Sequence, residues 1–191
     1  MRPGTGRARR AGREVQLGHR ERGLVRVDER EWLAPGKFVR TPREAFQLAL
    51  DVSSYSLMAL ARRAQEQMAA GGGGSIVAMS YYGAEKVIPG YNVMGVAKAA
   101  LECAARYLAQ ELGEYRIRVN TISGGPLRTL AASAVSGFKD IFAHTEKRAP
   151  LRRNVEGEDV GDTAVYLVSD LSSGVTGENI HVDCGASTIG L

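Results

Sequence analysis

Apolar positions first fall into a repeating pattern after Thr41. Phe46, Leu50, Leu57, Leu60 and Ala61 recur at the spacings of a helix with one buried face. The four residues in front, Thr41-Pro42-Arg43-Glu44, read as a helix start, with Thr at the N-cap, Pro first and Glu third. The helix is predicted to run to about Ala69 and to stop at Gly71-Gly72-Gly73-Gly74. The pattern then changes to a short apolar run, Ser75-Ile76-Val77-Ala78-Met79, which predicts a strand. A loop through Pro89-Gly90 leads into a second helix, taken to carry Tyr91 and Lys98 and to reach Leu112. Gly95, Ala97, Ala99, Ala100, Ala104 and Ala105 crowd this helix, and residues so small permit close packing on another helix or a neighbouring subunit. A second strand over residues 117–122 runs into Ser123-Gly124-Gly125-Pro126. A short helical piece follows around Phe138, Ile141 and Phe142, then a helix marked by Val160, Ala164, Leu167, Val168 and Leu171, then a strand over residues 180–183. Helix and strand in alternation predict an α/β fold with a parallel sheet covered by helices. Ligands bind such sheets beyond the carboxyl ends of the strands. Tyr81 and residues 125–131 are expected just past such ends.

The first 30 residues show neither period and are rich in Arg and Gly, so irregular structure or disorder is expected there, with order starting near Trp32. A transit peptide would suit the arginines, but the segment is serine-poor and has no apolar face. Gly4 and Gly6 follow no strand and have no third glycine in register, and the Gly71–Gly74 run precedes a strand, so neither reads as a phosphate cradle. The chain's net charge of +4 is local. Residues 1–23 hold seven Arg and two Glu, and the rest sums to about −1, which argues against nucleic acid as a partner of the folded part. Of the 191 residues, 44% are hydrophobic and 24% charged, as in globular proteins. No apolar run approaches the roughly 20 residues that span a bilayer. Cys103 and Cys184 suggest neither a disulfide framework nor a metal site, so a reducing cytoplasm is the expected compartment.

The chemistry-bearing stretch is YYGAEKVIPGYNVMGVAK, residues 81–98. Tyr91 and Lys98 are separated by six residues, and Tyr81 lies ten before Tyr91. On a helix, seven residues are about two turns, which would put Tyr91 and Lys98 on one face. A phenol titrates at about 10. A neighbouring ammonium favours its ionised form and makes it a better donor to a developing oxyanion. The same pair also occurs by chance on ordinary helices, so the spacing alone does not establish chemistry.

Five segments carry a resemblance to a known family: TPREAFQLALDVSSYSL, GGSIVAMSYYGAEKVIPGYNVMGVAKAALE, RVNTISGGPLRTLAAS, RAPLRRNVEGEDVG and SDLSSGVTGENIHVD. Residues 31–191 resemble the enoyl-[acyl-carrier-protein] reductases of bacterial fatty acid synthesis, a branch of the short-chain dehydrogenase/reductase superfamily. Most of that superfamily spaces its Tyr and Lys by three residues and places a Ser thirteen before the Tyr. Here six residues intervene, Ala78 stands thirteen before, and Ser80 lies eleven before, which argues against a carbonyl reductase. The resemblance implies a Rossmann-like doubly wound parallel sheet and reduction of the 2,3 double bond of enoyl thioesters on acyl carrier protein. It implies NADH as cofactor, with NADPH open, and a homotetramer. It implies that Tyr91 donates to the thioester carbonyl, that Lys98 bonds the nicotinamide ribose, and that Tyr81 is a second active-site tyrosine in the substrate region. Gly125 and Pro126, followed by Leu127, Arg128, Thr129, Leu130 and Ala131, match the loop that contacts the nicotinamide and its phosphates. Val135 and Phe138 match a mobile flap over the acyl chain.

Bland readings stand beside these. Tyr82 reads as a packing or rim residue and His181 as structural. Arg128 would meet a phosphate or merely a surface carboxylate. Arg152, Arg153 and the cations of residues 139–148 read as a solvated face in preference to a patch for an acidic carrier. The strand, glycine-rich turn and helix that open a complete family member are not found here, and residues 25–31 do not read as a strand. The expected sheet is therefore the C-terminal portion of the fold, lacking its first strands and helices, and residues 1–30 are expected to be a non-homologous or out-of-frame start. Gly124, Cys184 and Ala186 stand where the family usually has Ala, Gly and Phe. A non-catalytic remnant, or a subunit assembling with complete partners, is the alternative to an enzyme, with a carbonyl reductase as the weaker one.

Overall fold

The computed structural model describes residues 37–128 and 138–190, which form the expected α/β alternation. Three parallel strands lie in the order β1 (Gly74–Tyr81), β2 (Ile117–Gly124), β3 (Asn179–Val182). β1 and β2 pair along their whole length, from Gly74 opposite Ile117 to Tyr81 opposite Gly124, and β3 joins β2 from Thr121 onward. The helices are α1 (Arg43–Leu50), α2 (Ser56–Ala70), α3 (Val93–Leu112), α4 (Phe138–Arg148) and α5 (Gly157–Val168). None of the described helices is long and apolar enough to cross a membrane.

Alternation along β2 explains why both faces of the sheet are covered, since successive side chains point to opposite sides. Ile117 and Val119 face α2 and α3, where they pack with Leu57, Ala61, Leu101, Ala105, Ala109 and Leu112. On the other face lies α5, whose fully buried Leu167 accepts the Ser75 hydroxyl at its carbonyl at 2.7 Å. Asn120, also buried, has both ends of its amide paired, donating to the Val175 carbonyl at 2.9 Å and accepting from the Glu178 N–H at 3.1 Å. Such pairing is what makes a buried amide tolerable.

The first helical run departs from the single helix expected over residues 41–69. Thr41 does not cap it: its hydroxyl and its N–H both go to the Phe38 carbonyl, at 2.7 and 3.0 Å, so Pro42 takes the cap position. A π-helical turn over Asp51–Tyr55 then separates α1 from α2. The wider turn shifts the angular register of everything after it. Leu57 and Ala61 face α3, whereas Leu60, expected in the buried face, is 68% exposed. Phe46, Ala49 and Leu50 of α1 pack instead on Val93 and Ala97 at the start of α3. Both long strands run further than expected, taking in Ser80 and Tyr81 in β1 and Ser123 and Gly124 in β2. Leu171 lies past α5 in a 3-10 turn over Asp170–Ser172.

The glycine run behaves as a helix-to-strand connection. The Gly71, Gly72 and Gly73 N–H groups close the end of α2 on the Gln67, Ala69 and Met68 carbonyls, and that of Gly74 goes to Arg116. Gly73, at φ +135, could carry no side chain, because a Cβ would lie 2.6 Å from the Arg116 carbonyl oxygen. With its four N–H groups committed, the run holds none for a phosphate.

Three of the arginines around α4 and α5 are tied to the chain itself. The Arg153 guanidinium grips the Asp159 carboxylate through two bonds of 2.6 and 2.8 Å, Arg152 donates to the Lys147 carbonyl, and Arg148 donates to the Gly190 carbonyl at 2.7 Å. Asp159 also accepts the Glu156 N–H at 2.8 Å, completing a capping box at the start of α5.

Two expectations follow. Leu101→Ala should cost about 2–5 kcal/mol of stability by opening a cavity between α3 and the sheet, read as a lower urea midpoint at unchanged slope. The Arg153 guanidinium, and then the Glu156 N–H, hold the Asp159 carboxyl down to about 2. A carboxyl depressed on folding adds stability above its unfolded value of about 4 and loses it as the pH falls toward its folded one. Carbon-detected NMR should show Asp159 titrating near that low value and Arg153→Ala returning it toward the ordinary carboxylate range.

Candidate active site

Pairing of Tyr81 with Gly124 puts the ends of β1 and β2 side by side, so the two segments expected to form a site do share the carboxyl edge of the sheet. Tyr81 is the last residue of β1, not the first beyond it. A 3-10 turn over Tyr82–Ala84 follows, then a loop that reaches Tyr91 through Gly90 at φ +83.

Tyr91 is not on the helix. α3 begins at Val93, and Asn92 in front of it has φ 43 and ψ −120, a conformation that turns the chain sharply. The two-turn helical spacing expected for Tyr91 and Lys98 therefore does not place them. Tyr91 is held by the turn itself: its N–H donates to the Ile88 carbonyl and its own carbonyl accepts the Met94 N–H, both at 3.0 Å. Pro89-Gly90 and the positive φ at Asn92 end the helix before it can reach the tyrosine.

The turn brings Tyr91 onto Tyr81, ring centroids 4.8 Å apart and planes at 67°, an edge-to-face pair. Two glycines make room for it. A Cβ on Gly83 would fall 2.5 Å from the Tyr91 ring, and one on Gly95 would fall 2.6 Å from the Gly83 carbonyl oxygen. Gly95 thus serves the approach of the loop to α3, whereas small residues on this helix were expected to meet another helix or a subunit. Gly83 carried no signal in the sequence beyond being a glycine between two tyrosines.

The electrostatics also differ from expectation. Burial pushes the Tyr81 phenol up, and it pushes that of Tyr91 up further, with the charge of Tyr81 adding to the effect. No ammonium pulls Tyr91 down, so both phenols remain neutral donors. Burial lowers Lys98, and the Glu102 carboxylate opposes that. The Lys98 ammonium donates to the Met79 carbonyl at 2.8 Å, two residues before Tyr81 on the same strand.

Behind this edge lies a polar cluster that sequence reasoning did not assemble. Ser80 donates to Glu102, and the Asn179 amide donates to both Glu102 and Glu85 at 3.2 Å. His181 reaches Glu85 at 2.7 Å, and the Tyr82 ring stands edge-on to His181 at 6.1 Å. Tyr82 and His181 thus do the structural work expected of them. Ser80 is buried and engaged by Glu102. The available signal for Glu102 was its place one helical turn after Lys98.

Gly125 and Pro126 are buried, Gly125 donating to the Val182 carbonyl at 2.8 Å and lying so close to Asp183 that a Cβ would sit 3.0 Å away. Leu127 packs against Val155 and Cys184. Arg128 lies over the Phe142 ring at 4.5 Å, a cation–π contact. Thr129, Leu130, Ala131 and Val135 fall outside the described residues, as does the side chain of Phe138 at the start of α4.

Toward a nicotinamide cofactor the donor set fits in part. Lys98, the Tyr91 hydroxyl and the strand ends suit a polyhydroxylated ribose and a carbonyl that gains negative charge. Among the described residues no glycine-rich turn of the kind that opens a complete family member joins a strand to a helix.

Known proteins resemble this chain in sequence and fold. A family model described as Enoyl-(Acyl carrier protein) reductase matches residues 30–187. The chain is 54% identical over 155 residues to the enoyl-[acyl-carrier-protein] reductase [NADH] FabI of Bacillus cereus, and 58% over 154 residues to the [NADPH] FabI of Staphylococcus aureus. Each match takes in 81% of this chain, and 60% and 59% of the respective relative, so the chain spans about three-fifths of their length. Among solved structures, the Bacillus cereus reductase with NADP+ and indole naphthyridinone superposes with a TM-score of 0.81 at 54% identity, covering 85% of this chain and 62% of that one. The Anaplasma phagocytophilum reductase in complex with NAD gives 0.79 at 49% identity, covering 86% and 61%. With the family model covering most of its length and its fold shared with these reductases, this chain belongs to the enoyl-(acyl carrier protein) reductase family.

Proposed function

We propose that the chain serves in the reduction of the 2,3 double bond of enoyl thioesters carried on acyl carrier protein, with NADH or NADPH as the hydride source. The observation that carries this is the neutral Tyr91 phenol, set edge-on against Tyr81 at the carboxyl edge of the sheet, with the Lys98 ammonium bound to the Met79 carbonyl of β1. A bound nicotinamide would supply the hydride to the β-carbon. Negative charge then grows on the thioester oxygen, and a hydrogen-bond donor already in place stabilises it without reorganising. Tyr91 would act as a neutral phenol that donates to this oxygen and keeps its proton. Tyr81 shields it from water on one side. Lys98, released from the Met79 carbonyl, would hold the ribose hydroxyls. Residues 31–191 would be the reductase part of the chain and residues 1–30 a segment foreign to it. Relatives of both cofactor names support leaving NADH and NADPH side by side. A cytoplasmic homotetramer acting on acyl carrier protein is the finer reading, supported by family membership.

A second reading has its own observation. β1 is paired on one side only among the described residues, and no pyrophosphate-binding turn is among them. In this reading the chain contributes its catalytic edge to an assembly with a second chain that completes the cofactor site. The carbonyl-reductase reading has no such support, since the one serine near the usual position, Ser80, is buried against Glu102.

Titration of the purified chain with NADH, followed by nicotinamide fluorescence, separates the two. Saturable micromolar binding supports the enzyme reading for this polypeptide, and no binding at millimolar cofactor to a folded sample leaves only the assembly reading. Where turnover of an enoyl thioester is measurable, Tyr91→Phe should lower kcat by about 100- to 1,000-fold with KM little changed. Because its phenol is raised above the ordinary value, kcat should show no loss from Tyr91 ionisation below about pH 10.

A further inference from the structure

One amide gathers the polar cluster at the carboxyl edge of the sheet. Asn179, half-buried at the start of β3, stands opposite Thr121 of β2, so the two side chains share a face of the sheet. Its Oδ1 accepts the Thr121 hydroxyl at 2.8 Å, and its Nδ2 donates to Glu85 and to Glu102, each at 3.2 Å. A side-chain amide nitrogen has two hydrogens, so both are committed. The amide also has one workable orientation. Turned over, it would set an acceptor against two carboxylates.

The two carboxylates belong to different elements. Glu102 is on α3 and only 8% exposed, and the Ser80 hydroxyl of β1 donates to it as well. Glu85 is exposed and lies just past the turn over Tyr82–Ala84, in the segment that joins β1 to α3. Other ties reach this turn from the same side: His181 of β3 meets Glu85 at 2.7 Å, and the Tyr82 hydroxyl donates to the Ser187 carbonyl at 3.4 Å. Between Tyr82 and Glu85 stands Gly83, whose missing side chain leaves the space that the Tyr91 ring fills. The turn that Asn179 grips is therefore also the surface on which Tyr91 rests.

We infer that Asn179 is a positioning residue of this site: its amide couples the turn after β1 to α3 and so holds the Tyr91 ring in place against Tyr81. The position calls for a neutral donor, because an acid there would repel both Glu85 and Glu102. The consequence for turnover rests on the reading of Tyr91 as donor to the thioester oxygen; the placement of its ring does not.

The test reads the rings directly, by NMR of the full chain with labelled tyrosine. Asn179→Asp keeps the size and the acceptor for Thr121, and replaces both donor hydrogens with a charge facing Glu85 and Glu102. The Tyr81–Tyr91 ring cross-peaks should be lost in it. They should be retained in Val87→Ala, which alters an exposed side chain of the same segment. Combining Asn179→Asp with Glu85→Gln and Glu102→Gln reverses donor and acceptor across the bridge and should bring the cross-peaks back. Cross-peaks that persist in folded Asn179→Asp, or stay lost in the folded triple variant, overturn the proposal. Where circular dichroism shows a variant unfolded, the unmodified chain decides. The two Asn179 side-chain amide hydrogens should then show cross-peaks to the Glu85 and Glu102 side chains, and the absence of either overturns the proposal equally. Where turnover is measurable, kcat should fall by about 10- to 100-fold in Asn179→Asp with KM little changed, and recover in the triple variant. Ring contacts that respond in this way beside an unaltered kcat leave the Asn179 assignment standing and remove the donor role of Tyr91.

Discussion

The carbonyl of Gly83 lies against α3 at Gly95 so closely that any β-carbon on Gly95 would sit 2.6 Å from its oxygen, and the Tyr91 ring occupies the space a side chain on Gly83 would need. This contact governs the site. It brings the loop after β1 down onto the start of α3, where the Tyr91 ring lies edge-to-face with Tyr81. A tyrosine seated in this way is largely removed from water, which keeps its phenol neutral. The chemistry available at this edge follows from a packing constraint rather than from a charge placed beside the phenol.

The parallel sheet supplies the second half of the arrangement. Because β1, β2 and β3 pair in register, Ser80, Ser123 and His181 stand in one row across the sheet. Side chains in a row share a face. That face is polar at its carboxyl end, where Glu102 of α3 and Glu85 of the loop descend on it, and apolar at its amino end, where Ile117 and Val119 meet Leu101 and Ala105. One helix, α3, therefore serves two purposes along its length. Its later turns anchor it on the apolar part of the sheet, and its earlier turns present Lys98 and Glu102 over the polar part.

Much of this was legible in advance for a definable reason. The strand cores, the alternation of helix and strand, and the glycine run as a connection are local matters, carried by periodicity and by the freedom of glycine to adopt positive φ. The resemblance named Tyr81, Tyr91 and Lys98 as candidates because those residues lie in one continuous stretch. The errors share a different character. Thr41 reads as a cap because an oxygen stands ahead of a helical pattern, and only the neighbouring 3-10 turn offers its hydroxyl a nearer carbonyl. Leu60 reads as buried because spacing is counted from Phe46, and the π turn over Asp51–Tyr55 resets that count. Tyr91 reads as helical because seven residues make two turns, and Asn92 bends the chain before the helix can include it.

By itself the sequence determined the order of elements, the faces they bury and the residue types gathered between positions 81 and 98, since each depends on near neighbours in the chain. Tertiary structure alone decided that Tyr91 stacks on Tyr81 and that Lys98 rests on the strand carbonyl of Met79. It also decided that Glu85 and Glu102 are joined through Asn179, 94 and 77 residues away. Pairings across such distances depend on which strands lie side by side and how near a backbone can come. Burial, and with it the direction in which each phenol and amine titrates, exists only once the chain has closed around the group.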